Sequence, residues 1–224
     1  MLDVLVLCEG HTEREFCKSV VAPYIASRGV AVQGTLAGRP QQKRGGVKNW
    51  SVYRKELIRL ARQRTGRHVS LLIYYFRMPH SWPGRDDASK QPLSSRGRYV
   101  EEALIDDLPE LGGLFHPCVQ LHEFESLLFV DPETTARVIQ SVTGMTVSSQ
   151  KITRELEEIK SSFAGQVEMI DDSPENAPSM RIIQLVSNYD KVACGVLTVQ
   201  EVGLSTLRSK CPWLDRWLHR LESL

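Results

Sequence analysis

Two short runs of this chain are apolar almost without interruption: Val4-Leu5-Val6-Leu7-Cys8 near the start, and His68 to Phe76 (HVSLLIYYF). A strand with one face in water alternates apolar and polar residues. A continuous apolar strand is buried on both faces, as in parallel sheets covered by helices. Pro117–Leu121 is a third candidate of the same kind, and Val30–Gln33 a short fourth. Between these runs the spacing changes to that of helices. Glu13, Phe16 and Val20 precede a stop at Gly29, Trp50, Tyr53, Leu57 and Leu60 recur at intervals of three and four, and Tyr99–Leu108 follows the same rule. Strands alternating with helices predict an α/β fold, a mostly parallel sheet with helices on both faces. Beyond it lie helical patterns from Glu123, over Thr134–Val142 and over Ile152–Phe163. The turn-rich stretch Asp171–Pro178 suggests a boundary, giving a core over residues 1–170 and a helical C-terminal extension over 171–224. In that extension Thr198 is positioned to open one helix and Pro212 the last, where a missing N–H costs least.

The five cysteines (Cys8, Cys17, Cys118, Cys194, Cys211) are odd in number, widely spaced and without a C-x-x-C pair. This argues against a disulfide framework and a structural zinc site, and favours a reducing cytoplasm. No apolar run is long enough to cross a bilayer, and the start lacks the pattern of a secretion signal, so no membrane partner is expected.

Charge is unevenly spread. Residues 39–67 hold ten Lys and Arg against one acid, Glu56, a local +9 in a chain of net charge +1, which leaves the remainder at −8. On the helix beginning near Trp50, residues Arg54, Lys55, Arg59 and Arg62 gather opposite the apolar stripe, while Lys43, Arg44 and Lys48 precede it. Such a segment suits a phosphate-rich partner, DNA or RNA. The plainer alternative is a solvated helix face.

Glu9 follows the first apolar run and precedes a glycine and a helix. In open α/β sheets ligands bind at this edge, and a carboxylate there suits Mg²⁺, which takes oxygen ligands shared with phosphates. Thr12 and Glu13 are explained by helix capping and the helix dipole. Glu9 is not, because a buried carboxylate needs a partner or an ion. A second cluster, Gln120-Leu121-His122-Glu123-Phe124-Glu125, follows the third buried strand. His122 and Glu125 share a helix face at a spacing of three, and H-E-x-E is not the H-E-x-x-H of zinc proteases. His122 could instead be a packing histidine and the acids a favourable helix start. Tyr75 and Phe76 are expected to plug the core.

In order along the chain, Glu9-Gly10-x-Thr12-Glu13, Gly46-Val47-Lys48, Pro79 with Trp82-Pro83-Gly84, Gln120–Phe129 (QLHEFESLLF), Pro178-Ser179-Met180-Arg181, Tyr189-Asp190-Lys191, Gly203-Leu204, Cys211-Pro212 and Trp217 resemble the motifs of a prokaryotic family, domain-of-unknown-function family 4276. That family looks like a divergent member of the Toprim group, which includes OLD-type and RloB-like defence nucleases. The resemblance implies a Toprim-like core in which a glutamate after the first strand and aspartates after a later one hold Mg²⁺ or Mn²⁺ for phosphodiester cleavage. Glu9 inherits the glutamate role. The family's D-Y-Y-G-L-P stands here as Tyr74-Tyr75-Phe76-Arg77-Met78-Pro79, so the aspartate is replaced by Tyr74 and the glycine by Arg77. A phenol, with a pKa of about 10, is a poor Mg²⁺ ligand.

The resemblance implies a metal-dependent nuclease subunit of a defence system. Glu9, Glu125 and Glu123 would hold the ion, with the first two converging at one rim of the sheet, and Glu9, Glu125 and His122 would serve catalysis. The alternative is a degenerate Toprim-like subunit that binds nucleic acid, or a partner, without cleaving. Relatives are often encoded beside an ABC- or SMC-type ATPase. The chain has no G-x-x-x-x-G-K-[ST] loop, so nucleotide hydrolysis would belong to such a partner.

Overall fold

The computed structural model describes residues 1–38, 46–144, 147–171 and 174–224. Lys43 and Arg44 of the basic segment lie outside the described residues. The chain forms two compact units, Met1–Leu121 with Arg216–Leu224, and His122–Asp215. The division between them falls at 121/122 and 215/216. Composition marks Asp171–Pro178 as turn-rich, but Val167 and Ile170 before it and Ile182 after it are all buried within the second unit.

The first unit is built on four parallel strands: β1 (Leu2–Cys8), β2 (Val30–Leu36), β3 (His68–Tyr74) and β4 (Phe115–Gln120), in the order β2-β1-β3-β4. The two central strands are the continuous apolar runs, with Val4, Val6, Leu7, Cys8, Val69, Leu71 and Ile73 sealed from water. From β1 the chain passes to β2 through α1 (His11–Phe16), a π-helical turn (Cys17–Val21) and α2 (Ala22–Ala26). It crosses back to β3 through α3 (Trp50–Arg62), then to β4 through α4 (Arg85–Ala88) and α5 (Leu93–Asp106). Right-handed crossovers place α1–α2 on one face of the sheet and α3 and α5 on the other. Gly34 in β2 permits the close approach of α1, since a Cβ there would meet the Arg14 carbonyl oxygen at 3.0 Å.

The half of the α1 face over β3 is filled by the end of the chain. Trp217 is buried and its indole N–H donates to Ser70 Oγ in β3 at 2.9 Å. Edge strand β4 is covered by side chains. The Val119 N–H donates to Glu101 Oε1 at 2.9 Å, and Arg220 donates to the Pro117 carbonyl at 3.0 Å while pairing with Glu101. Pro117, which offers no N–H, is tolerated because it lies on an edge, and the covered groups cannot recruit another strand.

At the amino ends of β3 and β4, His68 Nδ1 and His116 Nε2 lie 2.8 Å apart with the rings stacked. Burial, then the neighbouring His68 and Arg220, push the His116 pKa down to about 4, and burial lowers that of His68. The unfolded chain, titrating near 6.5, therefore binds more protons than the folded one between about pH 6.5 and about pH 4. Stability is expected to be full above that window and to fall by up to a few kcal/mol as the pH drops through it. Thermal unfolding at about pH 7.5 and about pH 4.5 measures this, and His116→Gln should flatten the dependence.

The second unit is helical. Its centre is the turn of 3₁₀-helix Phe124–Val130, all seven residues of which are buried. The sequence reads an ordinary helix from Glu123; the tighter form arises here, and Thr135 Oγ1 donates to the Leu128 carbonyl that it leaves open. Around it are α6 (Pro132–Thr143), α7 (Ser149–Ser162), α8 (Pro178–Leu185), α9 (Lys191–Val202) and α10 (Leu204–Lys210). Asp131 and Ser148 cap α6 and α7 with their side chains. Asp190, not Thr198, opens α9, accepting from the N–H groups of Val192 and Ala193, and Thr198 is buried inside that helix. The final helix α11 (Pro212–Glu222) is capped by the buried carboxylate of Glu168, which accepts from the N–H groups of Trp213 and Leu214. Among the described residues, no helix is long and apolar enough to cross a membrane.

Candidate functional site

In the order β2-β1-β3-β4 the chain leaves β1 in one direction and returns to build β3 and β4 in the other. The crevice at the carboxyl ends of β1 and β3 is therefore a topological switch point, the place where open α/β sheets bind ligands. Glu9 stands immediately after β1, and its N–H continues the β1–β3 pairing by donating to the Leu72 carbonyl at 3.2 Å. Its carbonyl accepts from the Gly46 N–H at 2.7 Å, which fixes the residue between two segments of backbone. The residue is buried, at 8 % exposure, and Arg77 Nε lies 3.7 Å from its Oε1.

A second buried carboxylate, Glu13, stands four residues on, in the first turn of α1. Glu13 Oε2 accepts from the Gly10 N–H at 2.8 Å, and its Oε1 accepts from the Tyr74 hydroxyl at 2.6 Å. Gly10 is required for this closeness, because a Cβ there would meet Glu13 Oε2 at 2.9 Å. Tyr74, which takes the place of the expected aspartate at the end of β3, thus holds a carboxylate delivered from α1. Tyr53 of α3 donates to the Gly46 carbonyl at 3.1 Å. Burial, and then the negative charges of Glu9 and Glu13, push its pKa up, so it remains a protonated donor. Sequence reading explained Glu13 as a helix-start acid and missed its partnership with Tyr74. The available signal was the interval of four between Glu9 and Glu13, with β3 ending in a phenol.

The turn after β3 is rigid. Tyr75 is sealed in the core, with the Arg85 guanidinium 3.7 Å over its ring and donating to its hydroxyl at 2.7 Å. Trp82 packs on Trp50 and Tyr53 at ring distances of 5.1 and 5.0 Å and donates to the Lys48 carbonyl. Phe76, expected in the core, is 45 % exposed. The 3₁₀ turn Tyr75–Arg77 breaks the strand's alternation, so Tyr75 goes inward and Phe76 outward.

The basic segment is partly neutralised within the first unit. Arg54 pairs with Asp107 and Glu110, Arg59 with Glu56, and Arg64 and Arg67 with Asp3. Lys55 and Arg62 are exposed and, with Ile58, Arg59 and Gln63, line an open groove of about 470 Å³. Lys48 is half-buried at the entry to α3.

His122, Glu123 and Glu125 belong to the second unit, where three of the sequence motifs meet. Glu123 Oε2 accepts from the Ser179 hydroxyl at 2.6 Å and from its N–H at 3.3 Å, at the first turn of α8. Glu125 is buried and lies 3.7 Å from Lys191 Nζ, which is 4.0 Å from Glu123. Tyr189 is buried beside them; burial and then the Glu125 charge push its pKa up. His122 Nδ1 lies 3.1 Å from Asp171 Oδ2. Burial lowers its pKa and Asp171 opposes that shift without reversing it, which leaves the ring neutral near pH 7.

Among the described residues, no group of three or more His, Cys, Asp and Glu side chains is gathered to hold a metal ion. Mg²⁺ does not need one. It commonly binds one or two carboxylates, keeps several waters and shares substrate phosphates. All five cysteines are buried free thiols. No curated protein and no solved structure matches the chain. The model of a family described as a domain of unknown function, DUF4276, matches residues 8–222, a span running from the Cys8-Glu9 step at the end of β1 to the end of α11. This chain belongs to the DUF4276 family.

Proposed function

We propose that this chain is a Toprim-like subunit that cleaves nucleic-acid phosphodiesters with Mg²⁺ or Mn²⁺ at the β1/β3 switch point. The observation that carries the reading is the buried Glu9 carboxylate at the carboxyl end of β1, with the buried Glu13 one turn on. Arg77 already answers the Glu9 charge in part, and a divalent ion shared with a phosphate would add to that pairing in a way suited to hydrolysis.

Glu9 is the residue that would hold the ion, and Glu13 is oriented by Gly10 and Tyr74. When bound, the ion supplies activation of water and stabilisation of the leaving oxygen. Arg77, more than half exposed, is placed to exchange its contact with Glu9 for a charge-assisted hydrogen bond to a phosphate oxygen. Tyr53 contributes a protonated hydroxyl under the same turn. The roles expected of Glu125 and Glu123 as metal ligands, and of Glu125 and His122 in catalysis, are part of the proposal and are tested separately by Glu125→Gln and His122→Asn. Lys43, Arg44, Lys48, Arg54, Lys55, Arg59 and Arg62 are the proposed backbone-tracking residues. Setting in a defence system, a reducing cytoplasm and partnership with an ABC- or SMC-type ATPase complete the proposal. The free thiols agree with such a compartment, and the missing phosphate-binding loop agrees with a partner that hydrolyses nucleotide.

A second reading, a subunit that binds without cleaving, draws support from the Tyr74–Glu13 hydrogen bond and from Arg77 beside Glu9. Titration of Mg²⁺ and Mn²⁺ against the protein with labelled DNA and RNA separates the two. Cleavage that requires the cation supports the first, cation-indifferent binding without products supports the second, and neither binding nor cleavage refutes both.

The ion pairs of α3 sharpen the prediction for the basic face. Lys55→Glu with Arg62→Glu should weaken binding to any sequence and reduce the slope of log affinity against log salt by about 1 to 2. Arg54→Ala should act mainly on stability, since Arg54 is held by Asp107 and Glu110.

A further inference from the structure

We infer that Phe76 is a stacking platform for an unpaired base, so that the nucleic acid taken by this site is single-stranded at the switch point. The inference rests on the proposed nucleic-acid reading and narrows its substrate class.

Three observations converge on it. Phe76 is a large aromatic side chain, 45 % exposed, on the turn that directly follows central strand β3. The turn is preorganised. Tyr75 below it is locked by Arg85, the Phe76 N–H donates to the Leu121 carbonyl at 3.3 Å, and the Met78 N–H donates to the Tyr75 carbonyl at 3.1 Å. The Phe76 ring meets Tyr75 edge-on, with centroids 5.0 Å apart and planes at 88°. An exposed ring held by a rigid turn loses little freedom when a base stacks on it. The next residue, Arg77, sets a guanidinium beside Glu9. An aromatic face and a cation on adjacent residues offer one contact for a base and one for its phosphate, the pairing that binds single strands without reading sequence. In a duplex the base faces are already stacked, so Phe76 has nothing to add there.

Binding is measured by fluorescence anisotropy with a labelled oligothymidylate strand, the same strand as a duplex, and an abasic strand of equal length. The divalent ion is omitted so that no cleavage intervenes. Phe76→Ala should bind the thymidylate strand roughly 10- to 100-fold more weakly than the wild type. Duplex affinity should be unchanged, and Phe76→Tyr should restore the single-strand affinity. Wild type should lose on the abasic strand about what Phe76→Ala loses on the thymidylate strand, and Phe76→Ala should lose little more on abasic sites. The salt slope should stay the same, because no phosphate contact is removed. Circular dichroism establishes that the variants are folded. Equal binding of the thymidylate strand by wild type and folded Phe76→Ala, or an equal loss on the duplex, overturns the stacking role while leaving the nucleic-acid reading intact. A wild type that binds none of the three probes overturns both.

Discussion

Glu9→Gln is expected to abolish divalent-ion-dependent cleavage, lowering the rate at least about 100-fold while the protein stays folded. The substitution keeps the shape of the side chain and removes its charge. Glu9 is held through its backbone, by the Leu72 carbonyl and the Gly46 N–H, and neither bond involves the carboxylate. Its removal also takes from Arg77 the anion 3.7 Å away, so nucleic-acid affinity without the cation should hold or rise. Affinity and rate are therefore expected to move in opposite directions. Cation titration followed calorimetrically, beside single-turnover cleavage, reads both. If Glu9→Gln and wild type show the same cation affinity and the same cleavage rate, the site has been misassigned.

The second large effect lies far from the chemistry. Trp217→Ala should destabilise the first unit by about 3–5 kcal/mol, the cost of emptying a fully packed aromatic position. Trp217 is 1 % exposed and its indole N–H is answered by Ser70 Oγ, which itself donates to the His116 carbonyl. Ser70→Ala should cost less, about 1–3 kcal/mol, because it leaves a buried N–H without its acceptor. Chemical denaturation of both variants gives the ordering. An equal loss in the two would mean that the hydrogen bond, and not the packing, carries the stability.

What could be read from the sequence follows from how local each signal was. The apolar runs of β1 and β3 announced a buried parallel sheet, because burial on both faces leaves its mark residue by residue. Glu9 was legible for the same reason, as a charge at the end of such a run. Glu13 was not, since its bond to Gly10 looks like ordinary capping and its bond to Tyr74 spans 61 positions. The basic segment was read as a single acid against ten cations, yet Asp107 lies 53 positions from the Arg54 that it neutralises. Phe76 was placed in the core by extending the strand two residues too far; a 3₁₀ turn turns it outward, and Arg85 bonds to the Tyr75 of that turn from ten positions on. The boundary at 170/171 was a compositional signal, whereas the observed one follows which apolar residues share a core.

The interrupted order of the first unit has a consequence for biosynthesis. Residues 122–215 are translated before the stretch 216–224 that finishes the sheet's packing. Until Trp217 is in place, its site beside Ser70 in β3 stays unfilled, so the first unit cannot finish packing in the amino-to-carboxyl order in which domains generally fold.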